Sequence, residues 1–157
     1  MRLALDKIAT KDTLRERIAV LARPLVFTNG CFDLLHRGHI DYLEKARGLG
    51  ASLAVGINDD ESVRRLGKSE GRPINPVSDR SAVLAALECV DLVMVFSEDT
   101  PLQLIKTIRP DILVKGGDWA VENIVGAELV QSDGGSVRSI PILYPRSTTE
   151  LIARIRQ

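Results

Sequence analysis

The sequence predicts a Rossmann-like α/β domain of about five parallel strands with helices on both faces. Three observations carry that expectation. Short apolar runs alternate with helix-period segments along the whole chain. The runs are continuously apolar, as strands covered on two faces must be. Gly and Pro punctuate the joins between them.

Taken in order, residues 1–23 read as one amphipathic, helical N-terminal extension. Thr10 or Asp12 caps it, Leu14, Ile18 and Leu21 recur at helical spacing, and Arg23-Pro24 ends it. Leu25–Thr28 is the first strand. Ile40, Leu43, Ala46 and Leu49 then mark a helix closing near Gly48 or Gly50. Ser52–Ile57 is a strand, Asp60–Leu66 a short helix, and Gly67–Val77 a loop rich in Gly, Pro and charge. Ser78 caps a helix to Leu87, and Leu92–Phe96 is a strand. Thr100-Pro101 opens a helix to Ile108, which Arg109-Pro110 stops. Ile112–Lys115 is a strand, followed by a polar stretch with a weak helix. Val137–Ile140 is the last strand and Thr148–Arg156 the last helix. No repeat or linker divides the chain, so residues 1–157 read as a single domain.

Composition narrows the function. Of 157 residues, 45% are hydrophobic and 27% charged, which excludes wholesale disorder. Lys plus Arg and Asp plus Glu both number 21, and there is no long basic block, which argues against general nucleic-acid binding. The apolar runs fall far short of the ~20 residues a membrane helix needs. The start turns charged at once and has no signal-peptide core. The expectation is a cytoplasmic protein with no membrane partner. Cys31 and Cys89 have no metal-type spacing and read as two reduced thiols.

In an open parallel sheet, ligands bind beyond the carboxyl ends of the strands. After the first strand, Gly30 permits a tight turn and Gly38 a close approach to the backbone. Leu35–His39 stands at a helix start, where free N–H groups and the helix dipole favour an anion. His36 and His39, the only histidines, lie on one helix face. Two imidazoles and free amides read as a phosphate clamp. The same residues also fit half of a metal site with Cys31 or Asp33, or surface histidines with no task. The GxGxxG and GxxxxGK[ST] patterns are both absent from this turn.

The segment Gly30-Cys-Phe-Asp-Leu-Leu-His-Arg-Gly-His39 resembles the signature of the HxGH nucleotidyltransferases, typified by the cytidylyltransferases. Four further stretches are similar to one branch, the D-glycero-β-D-manno-heptose 1-phosphate adenylyltransferases. They are Gly56–Val63, Gly71–Pro76, Arg80–Leu87 and Asp111–Asp118; Ser147-Thr-Thr149 fits as well. The resemblance covers roughly Asp6 to Arg156. It implies a nucleotidyltransferase fold and an enzyme that moves the AMP moiety of ATP onto heptose 1-phosphate. The products are ADP-heptose and pyrophosphate, for lipopolysaccharide core biosynthesis. The alternative is a CTP-dependent cytidylyltransferase acting on glycerol 3-phosphate or another phosphoalcohol, because the phosphate-binding motif does not choose the base. The resemblance also implies Mg²⁺ bound with ATP, no metal ligated by the chain itself, and a homodimer. Only about two dozen residues precede the first strand, so a separate heptose kinase is expected to supply the sugar phosphate.

The roles follow residue by residue. His36, His39 and Lys68 are the expected catalytic groups: the histidines donate to the triphosphate, and Lys68 rides a mobile loop, 67–73, that closes over ATP. Asn29, Gly30, Cys31, Phe32 and Gly38 are expected to line the nucleotide cleft. Asp118 is expected at the ribose or base, and Ser147, Thr148 and Thr149 at a phosphate. Asn58, Asp59, Arg72 and Arg80 are candidates for the sugar phosphate, Arg80 alternatively being an exposed residue near a helix start. Asp33 orients the turn or a histidine, and Trp119 covers a base or a sugar, or packs. The reaction needs no protein nucleophile, so Cys31 is not expected to act chemically.

Overall fold

The computed structural model of the chain describes residues 3–67, 70–144 and 147–155. Among them, six parallel strands form one sheet: β1 (Ile8–Ala9), β2 (Leu25–Gly30), β3 (Ser52–Asn58), β4 (Leu92–Phe96), β5 (Ile112–Gly116) and β6 (Ser136–Ile140). Their spatial order is β1-β4-β3-β2-β5-β6. The helices are α1 (Leu14–Ala19), α2 (Arg37–Arg47), α3 (Asp60–Arg65), α4 (Val77–Ala86), α5 (Leu102–Ile108), α6 (Ala127–Ser132) and α7 (Thr148–Ile155).

The continuous apolar runs become central strands because both their faces are covered. Leu25 and Phe27 of β2 join Ala54 and Leu113 in a core closed by Leu14, Leu104, Ile105, Ile108 and Val130, from α1, α5 and α6. Val26, between them, faces the other way with Leu53, Val55, Ile57 and Val114, beneath Tyr42, Leu43, Ala46 and Leu84 from α2 and α4. Each Val, Leu, Ile or Phe side chain among them contributes about 1.5–3 kcal/mol on burial. Helices α2 and α5 therefore cover opposite faces of the sheet. From β2 the chain passes through α2 to β3 on one side, while β5 lies against β2 on the other. The carboxyl ends of β2 and β5 mark the switch point at which such folds bind ligands.

The N-terminal region departs from expectation. Residues 1–23 are not one helix: a 3-10 turn (Ala4–Lys7), β1 and the short α1 replace it among the described residues. β1 pairs with β4 through Ile8–Val93 and Ala9–Met94, adding a sixth, edge strand to the expected five. A two-residue strand shows no alternation, so only tertiary pairing reveals it. Ser78 is not the cap of α4; the helix begins at Val77 after Pro76, and the Ser78 hydroxyl donates to Asp79 at 3.1 Å. No helix among the described residues is long and apolar enough to cross a membrane.

Candidate active site

A cleft of about 390 Å³ opens over the ends of β2 and β5. Asn29, Gly30, Cys31 and Phe32 enter it directly from β2, and His36, Gly38 and His39 from the start of α2. Arg72 lines it too, as do Ser147, Thr148 and Thr149 at the start of α7.

The turn after β2 is tightly built. Phe32 has φ +46°, a left-handed conformation that costs a non-glycine residue about 1 kcal/mol or more. Its ring packs against Gly30, where a Cβ would come within 3.0 Å of Phe32 Cε2. The ring also meets His39 edge-on, with centroids 5.5 Å apart. The left-handed turn thus brings the chain round to the helix start with the His39 ring already braced.

His36 is the N-cap of α2. The Gly38 N–H donates to His36 Nδ1 at 3.1 Å, and the His36 N–H donates to His39 Nδ1 at 3.3 Å, a reciprocal capping box. The rings lie 3.9 Å apart at 35°. Since each Nδ1 accepts from the backbone, the N–H that each ring keeps is on Nε2. Burial pushes His36 below the ordinary histidine pKa, which keeps it neutral. Helix capping and ring orientation are one set of bonds. The Thr148 hydroxyl donates to the Leu34 carbonyl at 2.9 Å, and Ser147 Oγ accepts the Glu150 N–H at 3.1 Å. The first bond ties the start of α7 to the segment that leads into α2 and the second closes the first turn of α7, so two helix N-termini converge on the cleft.

In the wall of the cleft, Arg72 Nε donates to Asp33 at 3.0 Å, the two side chains being 6% and 0% exposed. The Ile74 and Asn75 amides also donate to Asp33. Burial alone would raise the Asp33 carboxyl, but the Asn75 and Ile74 amides and the Arg72 guanidinium outweigh it and hold it below 3.8.

Four of the expected residues do not line this cleft. Arg80 is not exposed: its side chain is fully buried, donating to the carbonyls of Cys31 (2.7 Å), Asn58 (2.9 Å) and Asn75 (2.9 Å) and to Asp60 (2.6 Å). It ties the ends of β2 and β3 together. Asn58 is buried and donates to Ser62 at 2.8 Å. Asp59 caps α3 by accepting the Ser62 N–H at 2.7 Å. Asp118 is exposed in the turn after β5. Lys68 lies outside the described residues.

The cleft also holds residues to which sequence reasoning gave no role: Tyr42, Lys115 and Ile142. Tyr42 stands three residues after His39, on the same helix face, and that spacing was the available signal. Its buried hydroxyl bonds Thr28 Oγ1 and donates to the Val114 carbonyl at 3.3 Å. Burial pushes it up to about 12, so it stays protonated. Among the described residues no three His, Cys, Asp or Glu side chains converge to hold a metal. Asp33, the buried carboxylate of the wall, is already engaged by Arg72 and two amides, so it forms no cage for a divalent ion.

The cytidylyltransferase-like family model matches residues 27–154, from the middle of β2 to the last turn of α7. The chain belongs to the cytidylyltransferase-like family. This cytidylyltransferase-like chain is 54% identical to the D-beta-D-heptose 1-phosphate adenylyltransferase of Bordetella bronchiseptica, over 97% of its own length and 95% of that protein. It is also 54% identical to the bifunctional protein HldE of Syntrophotalea carbinolica, covering 96% of this chain but only 31% of HldE. Among solved structures, a lipopolysaccharide core biosynthesis protein from Thermoplasma volcanium matches with TM-score 0.62 and 30% identity, over 78% of this chain and 98% of that one.

Proposed function

We propose that the chain transfers the AMP moiety of ATP to D-glycero-β-D-manno-heptose 1-phosphate, giving ADP-heptose and pyrophosphate for lipopolysaccharide core assembly. The choice of reaction is supported by the 54% identity to a heptose 1-phosphate adenylyltransferase across nearly the full length of both proteins. The observation that carries the chemistry is the pair of capping bonds in which a backbone N–H engages Nδ1 of each histidine.

A sugar-phosphate oxygen attacks the α-phosphorus of ATP, and the bond to the bridging oxygen of the departing pyrophosphate breaks. The nucleophile is already an anion, so no general base is needed. The chain's task is positioning and neutralising charge. Nε2–H of His36 and His39 donate to phosphate oxygens. The N-termini of α2 and α7 add their dipoles, and Gly38 keeps the backbone close. Mg²⁺ belongs to this reading as the ion that accompanies the triphosphate and neutralises its charge. Lys68 joins it on the resemblance alone, as a phosphate ligand whose replacement by Met lowers turnover more than nucleotide affinity. The reaction is placed in the cytoplasm, where ATP is available, with a sugar kinase supplying the acceptor.

The test is pyrophosphate release with ATP or CTP, each offered with heptose 1-phosphate or glycerol 3-phosphate. Turnover is expected with ATP and heptose 1-phosphate. Preference for CTP and glycerol 3-phosphate would replace this reading with a cytidylyltransferase.

A further inference from the structure

Beside the cleft lies a smaller niche of about 140 Å³, lined by Asn29, Pro101, Lys115, Trp119, Asn123, Ile124 and Val125. Asn29, Lys115 and Trp119 line both spaces, so the two communicate over the ends of β2 and β5. The niche is well below the ~300 Å³ at which drug-sized ligands begin to fit, and suits a single ring rather than a nucleoside.

Both spaces lie over the carboxyl edge of the sheet, the cleft leaning toward one face and the niche toward the other. The histidines start α2, which covers the face of Val26, Leu53 and Val55. Ile124 of the niche packs with Leu104 and Ile105 of α5 on the face of Phe27 and Ala54. In-line displacement at phosphorus puts the attacking and leaving oxygens on opposite sides. With pyrophosphate leaving toward the histidines and α7, the attacking group arrives from the niche.

The lining suits a sugar. Trp119, the sole tryptophan, is 51% exposed yet hydrogen-bonded. Its indole N–H donates to the Gly116 carbonyl at 3.1 Å and its backbone N–H to Ser139 Oγ at 3.1 Å. A half-exposed indole tied to the Gly116 carbonyl offers an apolar face to the C–H side of a sugar ring. The side-chain amides of Asn29 and Asn123 make no hydrogen bond to another described residue. Each presents donors and an acceptor, the mixed set that a polyol needs.

We infer that this niche holds the sugar ring of the acceptor, with Trp119 as its platform and Asn29 and Asn123 reading its hydroxyls. The assignment rests on the proposed adenylyl transfer to a sugar 1-phosphate and makes these residues specificity determinants of that reaction. Nucleobase binding in the niche is the opposing outcome.

The experiment measures KM for ATP and for heptose 1-phosphate separately in wild type, Trp119→Ala, Trp119→Phe and Asn123→Ala. Asn123 sits in an exposed 3-10 turn, so its truncation leaves the fold intact should Trp119→Ala fail to fold. Trp119→Ala and Asn123→Ala are expected to raise KM for heptose 1-phosphate by ~10-fold or more and to leave KM for ATP nearly unchanged. Trp119→Phe, which keeps an aromatic face, recovers part of the loss. In wild type, tryptophan emission should respond to heptose 1-phosphate without nucleotide. A raised KM for ATP with an unchanged sugar KM would hand the niche to the base and overturn the assignment. Unchanged values for both substrates would overturn it as well. Absence of wild-type turnover with ATP and heptose 1-phosphate would instead remove the underlying reaction, and this assignment with it.

Discussion

Arg72 and Asp33 form a buried ion pair at 3.0 Å in the wall of the cleft, and the Ile74 and Asn75 amides close around the same carboxylate. A pair so enclosed is strongly destabilising to break, because one charge stays buried without its partner. Asp33→Asn is expected to lower stability by about 3–5 kcal/mol, measured by urea unfolding at neutral pH. The carboxyl is held below 3.8, so its contribution is complete above that value and is lost as pH falls through the lower, folded-state pKa. The stability gap between wild type and variant should therefore narrow in acid.

At the head of α2, a Cβ on Gly38 would lie 3.0 Å from both Cε1 and Nδ1 of His36. Gly38→Ala must shift that ring by a few tenths of an ångström, against the bond that holds it. Turnover should fall by ~10-fold or more, and by ~10² in His36→Ala or His39→Ala, the scale of a lost transition-state donor. Because burial lowers the His36 pKa, the acid limb that His36 contributes to the pH–rate profile should lie below the ordinary histidine range. Near-normal turnover in all three variants would remove the clamp.

Tyr42→Phe deletes a hydroxyl that is bonded to buried Thr28. The orphaned Thr28 oxygen should cost about 1–3 kcal/mol, visible as a lowered melting temperature. Activity should persist, since a phenol with pKa of about 12 does no acid–base work near neutrality.

Arg80→Lys keeps the charge but cannot satisfy three carbonyls and Asp60 with one ammonium. The variant is expected to lose stability at least as severely as Asp33→Asn, with any surviving folded fraction near wild type in substrate affinity. A folded, stable Arg80→Lys enzyme with only its acceptor KM raised would return Arg80 to the sugar phosphate.

Residues differed sharply in how legible they were. Leu92–Phe96 is read with the bounds it has in the structure, because a five-residue apolar run between polar neighbours admits little else. β1 is invisible, since two residues carry no period and owe their strand geometry to Val93 and Met94. The turn from Asn29 to His39 could be read because its glycines and histidines are adjacent in sequence. Arg80 could not: a charged residue in the first turn of a helix looks solvated until the ends of β2 and β3 and the segment before α4 place three carbonyls around it. The niche escaped for the same reason, Asn29, Pro101 and Asn123 being far apart in the chain and brought together by the switch from β2 to β5.

The capping bonds at the head of α2 bear on the reverse reaction. The ring edges that meet departing pyrophosphate in the proposed reaction meet it in the same orientation on its way back. A catalyst lowers one barrier for both directions, so ADP-heptose and pyrophosphate should regenerate ATP and heptose 1-phosphate as far as the equilibrium allows. Adding an enzyme that removes pyrophosphate should then pull the reaction toward ADP-heptose.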